Sequence, residues 1–318
     1  MTQKAVLAGG SGFLGRALAQ RLAADSWEVV ILTRDPEACH ILAHKDALIR
    51  AVYWNGETAG TWRKELEGAA ALVNFTGRSI NCVHTLENSR EILESRINAV
   101  SALGQAVAKA RQPPAVWVQC SATGYYGNTG DVVREENSPV GWGFLAEVCR
   151  QSEAVFNGLE LPGTRRVVLR LGVVLGREAG VLPLLVRLVR RYLGGAAGSG
   201  RQYFSWIHRD DLIQIFLTVL AQPEFSGVYN ACAPEPVTND RLMRRLRAAV
   251  GRPWCPRAPE FIVRLVARHW LKTESSLVLH GQCAVPARLL AAGFKFDHPE
   301  IGGAIRDLLK NQSSTRDI

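Results

Sequence analysis

The sequence predicts an α/β protein: a doubly wound, mostly parallel sheet with a smaller, mostly helical C-terminal lobe. Three features predict it. Short β-rich apolar runs alternate with helical patterns through the first two-thirds of the chain, as expected of βαβ units. A glycine-rich turn joins the first run to the first helix. Beyond about residue 177 the texture changes to helical stretches broken by Pro and Gly.

The strand-like runs are Ala5–Ala8, Glu28–Thr33, Leu48–Trp54, Ala71–Thr76, Val116–Ser121 and Arg166–Leu175. The clearest helical stretches are Gly12–Ala24, Glu87–Ala110 and Phe144–Leu159. Crossovers between parallel strands are right-handed, so a ligand is expected at the carboxyl edge of the sheet. At roughly 150 residues per domain, 318 residues allow two units. The expected division is a Rossmann-like nucleotide-binding domain over 1–177, completed by segments around 205–232. A mainly substrate-side lobe over 178–310 includes the helical C-terminal part, and 311–318 is a polar, frayed tail.

Composition excludes several classes. With 47% hydrophobic and 21% charged residues the chain is neither disordered, collagen-like nor a coiled coil. The net charge of +9 is spread along the sequence. Its densest clusters, Arg187–Arg191 and Arg241–Arg247, alternate with apolar residues at helical spacing and read as solvated helix faces, so no nucleic-acid partner is expected. Seven cysteines, at 39, 82, 120, 149, 232, 255 and 283, show no CxxC or Cys/His spacing. They support neither a metal site nor a disulfide framework and fit a reducing compartment. The opening apolar run is too short for a signal peptide and no stretch approaches a membrane span, so the expected location is cytoplasmic, with no membrane partner.

The nucleotide site is the sharpest signal. Gly9-Gly10-Ser11-Gly12-Phe13-Leu14-Gly15 follows a strand and opens a helix. Gly9 permits a tight turn, Gly12 lets backbone approach a pyrophosphate, and Gly15 allows close helix–strand packing. The helix N-terminus then presents N–H groups and a positive dipole end to phosphate. About twenty residues past the loop, an NAD site carries an acid for the ribose 2′-hydroxyl. Here Thr33-Arg34 stands instead, and a guanidinium suits a 2′-phosphate. Asp35 before Pro36 reads as a helix N-cap. NADP(H) is therefore expected over NAD(H).

These residues carry a family resemblance over nearly the whole chain. The sequence resembles an atypical extended short-chain dehydrogenase/reductase, and more narrowly the NAD(P)-dependent epimerase-family subgroup with its characteristic C-terminal domain. The matching segments are Gly9–Gly15, Asn74-Phe-Thr-Gly77, Ser95-Arg96 with Asn98, and Ser121-Ala-Thr-Gly-Tyr-Tyr-Gly127. The most specific are Gly198-Ser-Gly-Arg-Gln-Tyr-Phe-Ser-Trp-Ile-His208 and Gly281-Gln-Cys-Ala-Val-Pro286, the latter followed by Arg288-Leu and Ala292-Gly-Phe294. The resemblance implies bound NADP(H), with Thr33 and Arg34 at the adenosine end and Phe75, Thr76 and Gly77 along the middle. It also implies that Arg96 reaches toward the cofactor; spacing alone equally allows an ion pair with Glu91 or Glu94. A homodimer through the two long helices is a further implication.

The chemistry departs from the family pattern. Short-chain dehydrogenases pair a Tyr with a Lys four residues later, which lowers the phenol's pKa for proton transfer while nicotinamide carries hydride. None of the six tyrosines here has that lysine, and Glu147 stands where it should fall. Ser121 or Thr123 can hold a substrate oxygen, and Tyr125, Tyr126 or Glu147 are the remaining acid–base candidates. Arg201, Gln202 and Tyr203, after a glycine-rich loop, are expected to contact substrate. His208 reads best as a residue bonding near Asp210 or Asp211 to start the next helix, although it can also face the pocket. Arg78 stands where the subgroup usually carries an acid. Two functions follow: an NADP(H)-dependent oxidoreductase or epimerase-like enzyme acting on a small polar carbonyl or sugar-like substrate, or a non-catalytic NADP(H)-binding sensor or scaffold.

Overall fold

The computed structural model describes residues 2–39, 46–252, 254–270 and 272–310; the expected tail, 311–318, lies outside them. Strands run in chain order as β1 (Lys4–Ala8), β2 (Glu28–Thr33), β3 (Ile49–Tyr53), β4 (Ala71–Asn74), β5 (Val116–Ala122), β6 (Val133–Arg134) and β7 (Arg165–Leu171). They continue as β8 (Val173–Leu175), β9 (Tyr203–Phe204), β10 (Trp206–His208), β11 (Gly227–Ala231), β12 (Val237–Thr238) and β13 (Cys283–Ala284). Helices are α1 (Phe13–Ala24), α2 (Leu86–Ala108), α3 (Phe144–Asn157), α4 (Leu182–Arg190) and α5 (Arg209–Ala221). The C-terminal set is α6 (Asn239–Val250), α7 (Glu260–His269), α8 (Ser276–Leu279), α9 (Ala287–Ala291) and α10 (Ile301–Lys310).

Seven strands form one parallel sheet in the order β11-β7-β5-β4-β1-β2-β3. Side chains alternate across a strand, and both faces of this sheet are covered. Ala5, Leu7, Val29, Ile31 and Val118 pack with Leu18 and Leu22 of α1 and Phe216 of α5. Val6, Val30, Leu32, Leu72 and Trp117 face the other way, against Val100, Leu103 and Val107 of α2 and Phe156 of α3. A separate core joins Val186 of α4, Leu242 and Leu246 of α6, and Ile305 and Leu308 of α10 beneath Trp206.

The run expected as one strand over Arg166–Leu175 is two strands. The chain breaks at Gly172, where a Cβ would lie 3.0 Å from both the Cys232 Cβ and the Ser205 carbonyl oxygen. After this crowded point β8 leaves the main sheet and pairs with β10. The strand order reverses between β1 and β4, which opens a crevice outside their carboxyl ends.

Candidate functional site

The glycine loop lies in that crevice. Gly9 has φ +68°, and a Cβ there would sit 3.0 Å from the Thr76 backbone after β4. At Gly15 a Cβ would come within 2.4 Å of Gly10, so α1 packs directly on the loop. Gly12 differs from both, since its Cβ would meet nothing within 4 Å. Helix α1 opens at Gly12 with no side-chain cap and no acidic residue in its first turn, leaving its N-terminus open to an anion. The Phe13 ring packs over Gly176, and Leu14 enters the cleft wall.

At the end of β2 the Thr33 hydroxyl bonds to Ser11 Oγ at 3.0 Å, and Asp35 accepts from the Ala38 amide at 3.1 Å. Arg34 is exposed. A second guanidinium stands close by: Arg16 Nε donates to the Ser11 carbonyl at 2.6 Å and Nη2 to the Ala38 carbonyl at 2.8 Å. The sequence reading overlooked Arg16, whose only signal is its position directly after Gly15.

Along the middle, Thr76 Oγ1 is buried with no partner among the described residues. Gly77 is fitted to Arg96, whose Cζ would lie 2.9 Å from a Cβ there. Arg96 donates to the carbonyls of Arg78 and Ile92 and lines the cleft. The alternative ion pairs of Arg96 are taken by others, since Glu91 pairs with Arg78 and Glu94 with Arg90. Arg78 itself turns onto α2, donating to Asn88 Oδ1 at 2.7 Å.

The cleft has a volume of about 650 Å³ and extends from Leu14, Phe75 and Thr76 past Ser121 and Thr123 to Tyr203. On its floor Ser121 Oγ donates to Glu153 Oε1 at 2.6 Å. Glu153 in turn grips Arg170 through both oxygens, at 3.0 and 2.7 Å, and both side chains are buried. The sequence reading missed this pair; only the burial of α3 against β7 brings the two together.

Three acid–base candidates, Tyr125, Tyr126 and Glu147, lie outside the lining of the cleft. Tyr125 lies under Arg170, whose Cζ is 3.4 Å from the ring centroid. Tyr126 is buried, donates to Asn230 Oδ1 at 2.8 Å and accepts from Arg170 Nη1 at 2.9 Å; burial pushes its phenol up to about 12. Neither tyrosine lines the cleft; the Arg170 guanidinium lies against both rings, 3.4 Å from the Tyr125 centroid and 5.2 Å from that of Tyr126. Glu147 is also outside it. Bonds from Arg150 and Gln151 hold that exposed carboxyl down at about 2.

Of the expected substrate contacts, Thr123 and Tyr203 line the cleft, while Arg201 and Gln202 do not. Arg201 is exposed, and Gln202 Nε2 ties the loop to the Ala197 and Val278 carbonyls, both at 3.0 Å. The two most specific sequence segments meet here. Gly281 abuts the Tyr203 carbonyl so closely that a Cβ would lie 1.8 Å from it, and Ser205 Oγ donates to the Gln282 carbonyl at 2.7 Å. His84, Cys149 and His280 also line the cleft; nothing in their local sequence marks them. His208 is buried outside it, where its Nδ1 accepts from the Asp210 amide to cap α5.

The model of the NAD dependent epimerase/dehydratase family matches residues 5–232. The chain belongs to this family. Residues 258–308 match a second model, a domain of unknown function. The Arabidopsis thaliana epimerase family protein SDR39U1 homolog, described as chloroplastic, is 35% identical over 95% of this chain and 85% of its own length. Human epimerase family protein SDR39U1 is 33% identical over 96% of this chain and 99% of its own. The crystal structure of the human family member (isoform 2) with NADPH superposes with a TM-score of 0.85 at 31% identity, covering 97% of this chain and 100% of that one. A Corynebacterium glutamicum nucleoside-diphosphate sugar epimerase gives 0.76 at 30% identity, over 97% of this chain and 58% of that one. The family model thus spans the sheet and the glycine loop, while Ser276, Leu277, His280, Gly281 and Gln282 of the cleft wall fall within the second match.

Proposed function

We propose that the chain binds NADP(H) along Gly9, Gly12, Phe13, Leu14 and Gly15, with Thr33 and Arg34 at the 2′-phosphate and Phe75, Thr76, Gly77 and Arg96 along the middle. On this reading it acts as an oxidoreductase or epimerase-like enzyme on a small polar carbonyl or sugar-like compound. One observation carries the reading: the nucleotide loop end and the hydroxyl-bearing floor share one cavity. The residues fit the group. Gly12 opens onto space beside an uncapped helix N-terminus, and Thr76 Oγ1 is a buried hydroxyl that lacks a partner among the described residues. The NADPH of the human relative's structure and the exposed Arg34 both favour the 2′-phosphorylated cofactor.

When bound, that cofactor supplies hydride. The chain's own part centres on Ser121. Its proton is committed to Glu153, so its oxygen can accept a substrate hydroxyl from the cleft. In the oxidative direction the substrate proton passes to Ser121 Oγ as the serine proton passes to Glu153 Oε1; reduction runs the transfer backwards. Thr123 and Tyr203 position the substrate. Arg170 holds the Glu153 carboxylate in place and keeps it from rotating away.

A second reading, a non-catalytic NADP(H)-binding sensor or scaffold, is favoured by the absence of Tyr125, Tyr126 and Glu147 from the cleft. Fluorescence titration with NADPH followed by a carbonyl panel separates the two. Tight binding with oxidation of NADPH supports the enzyme; tight binding with no oxidation across the panel favours the sensor. No NADPH binding removes both.

A further inference from the structure

Helix α7 presents an outer face that no described residue covers. Phe261 is 71% exposed, Leu265 60% and the following Trp270 86%, with Ile262 and Val266 completing one stripe. Trp254, 69% exposed, lies on the approach to the helix. Of the helix itself only Ala267 is buried. This exposure is not a loose end. The approach is anchored by the Gly198 amide on the Ala258 carbonyl at 2.8 Å and the Ala258 amide on the Ala196 carbonyl at 3.0 Å. The exit is anchored by Thr273, whose amide reaches the Ala267 carbonyl and whose hydroxyl donates to Asn81 Oδ1 at 2.7 Å. A rigidly held helix with a contiguous apolar stripe marks an interaction surface.

Charge selects the partner. Between residues 252 and 274 five cations, Arg252, Arg257, Arg264, Arg268 and Lys272, outnumber the carboxylates Glu260 and Glu274; of these Arg252 stacks over Tyr192 and Arg257 faces Asp240 at 3.7 Å. Glu260 is neutralised by Arg264 at 2.6 Å, and Arg268 is exposed. A twofold contact between copies of this face would set arginine against arginine around the apolar stripe. An anionic bilayer satisfies both halves at once: acyl chains take Phe, Leu and Trp, while headgroups take the guanidinium groups. We propose that α7 docks the protein in the plane of an anionic phospholipid surface. The sequence reading expected no membrane partner because no span is present. No described helix is long and apolar enough to cross a membrane, but in-plane docking needs no span. The next helix, α8, carries Ser276 and Leu277 into the cleft wall.

The test is co-sedimentation of the full chain with vesicles of phosphatidylcholine, with and without phosphatidylglycerol. Pelleting with the mixed vesicles is expected, with little on phosphatidylcholine alone and a fall as salt screens the headgroups. Phe261→Asp with Leu265→Asp is expected to reduce pelleting at least about tenfold, and Arg264→Gln with Arg268→Gln by about tenfold or more. Trp270→Ala should remove most of the fluorescence blue shift that vesicles induce. All these side chains are exposed, so the thermal midpoint of each variant should stay within about 2 °C of the parent. No pelleting of the parent chain on anionic vesicles overturns the proposal, as does pelleting indifferent to the Phe261/Leu265 change. A dimer that dissociates in that variant assigns the face to a second copy and overturns it equally.

Discussion

Ser121 and Glu153 are joined by a 2.6 Å hydrogen bond between a hydroxyl in the cleft and a carboxylate buried under it. This bond couples stability to the proposed chemistry. Ser121→Ala removes one hydrogen bond, worth about 1 kcal/mol, and should lower turnover about 100-fold while NADPH affinity holds. Glu153→Gln leaves Arg170 as an uncompensated buried cation and should destabilise by about 3–5 kcal/mol. Denaturant unfolding beside NADPH titration checks both; a Ser121→Ala variant with parental turnover removes the proton path.

Two glycines of one loop should separate folding from binding. At Gly15 a Cβ collides with Gly10 at 2.4 Å, so Gly15→Ala should cost about 3 kcal/mol or more of stability. Gly12 has φ −81° and open space around its Cβ position. Gly12→Val should therefore fold like the parent and lose NADPH affinity at least about 100-fold, because the side chain fills the phosphate approach. Thermal melts with and without NADPH distinguish the two outcomes.

Arg34 should set the cofactor preference. A charge-assisted bond to a 2′-phosphate is worth about 1.5–3 kcal/mol, so Arg34→Asp should weaken NADPH binding about tenfold to a hundredfold and leave NADH little changed. Equal loss for the two cofactors would place the arginine elsewhere; no change would pass the role to Arg16.

Stability should fall on acidification through His208. The ring is fully buried, stacks on His298 at 3.8 Å, and accepts the Asp210 amide through Nδ1 as the cap of α5. Burial, then repulsion by His298, lowers its pKa from 6.5 to about 4. The unfolded chain therefore binds the proton first, so this stability is complete above about pH 6.5 and is lost as pH falls toward about 4, by up to about 3 kcal/mol. His208→Asn keeps a capping oxygen and cannot titrate, and it should flatten that interval of the stability profile.

Much of the fold was legible because its signals are local. Alternating Val, Leu and Ile in β1 and β2 must be buried on two faces, and the close approach of Gly15 to Gly10 lies within the loop itself. The boundary at Gly172 was not legible, since the crowding there comes from Ser205 and Cys232, far along the sequence. The same holds at Gly281, whose need for glycine is created by the Tyr203 carbonyl.

The sequence by itself determined the doubly wound sheet and the glycine loop that opens α1, because hydrophobic period and backbone freedom belong to neighbouring residues. Tertiary structure decided the rest of the site. Whether Tyr125 and Tyr126 face a cleft or a core depends on a buried cation, Arg170, contributed by another strand. Likewise Phe261, Leu265 and Trp270 have the apolar pattern of a core helix and yet lie open. Apolar periodicity states which face seeks cover, and only the packing of the remaining chain determines whether cover is there.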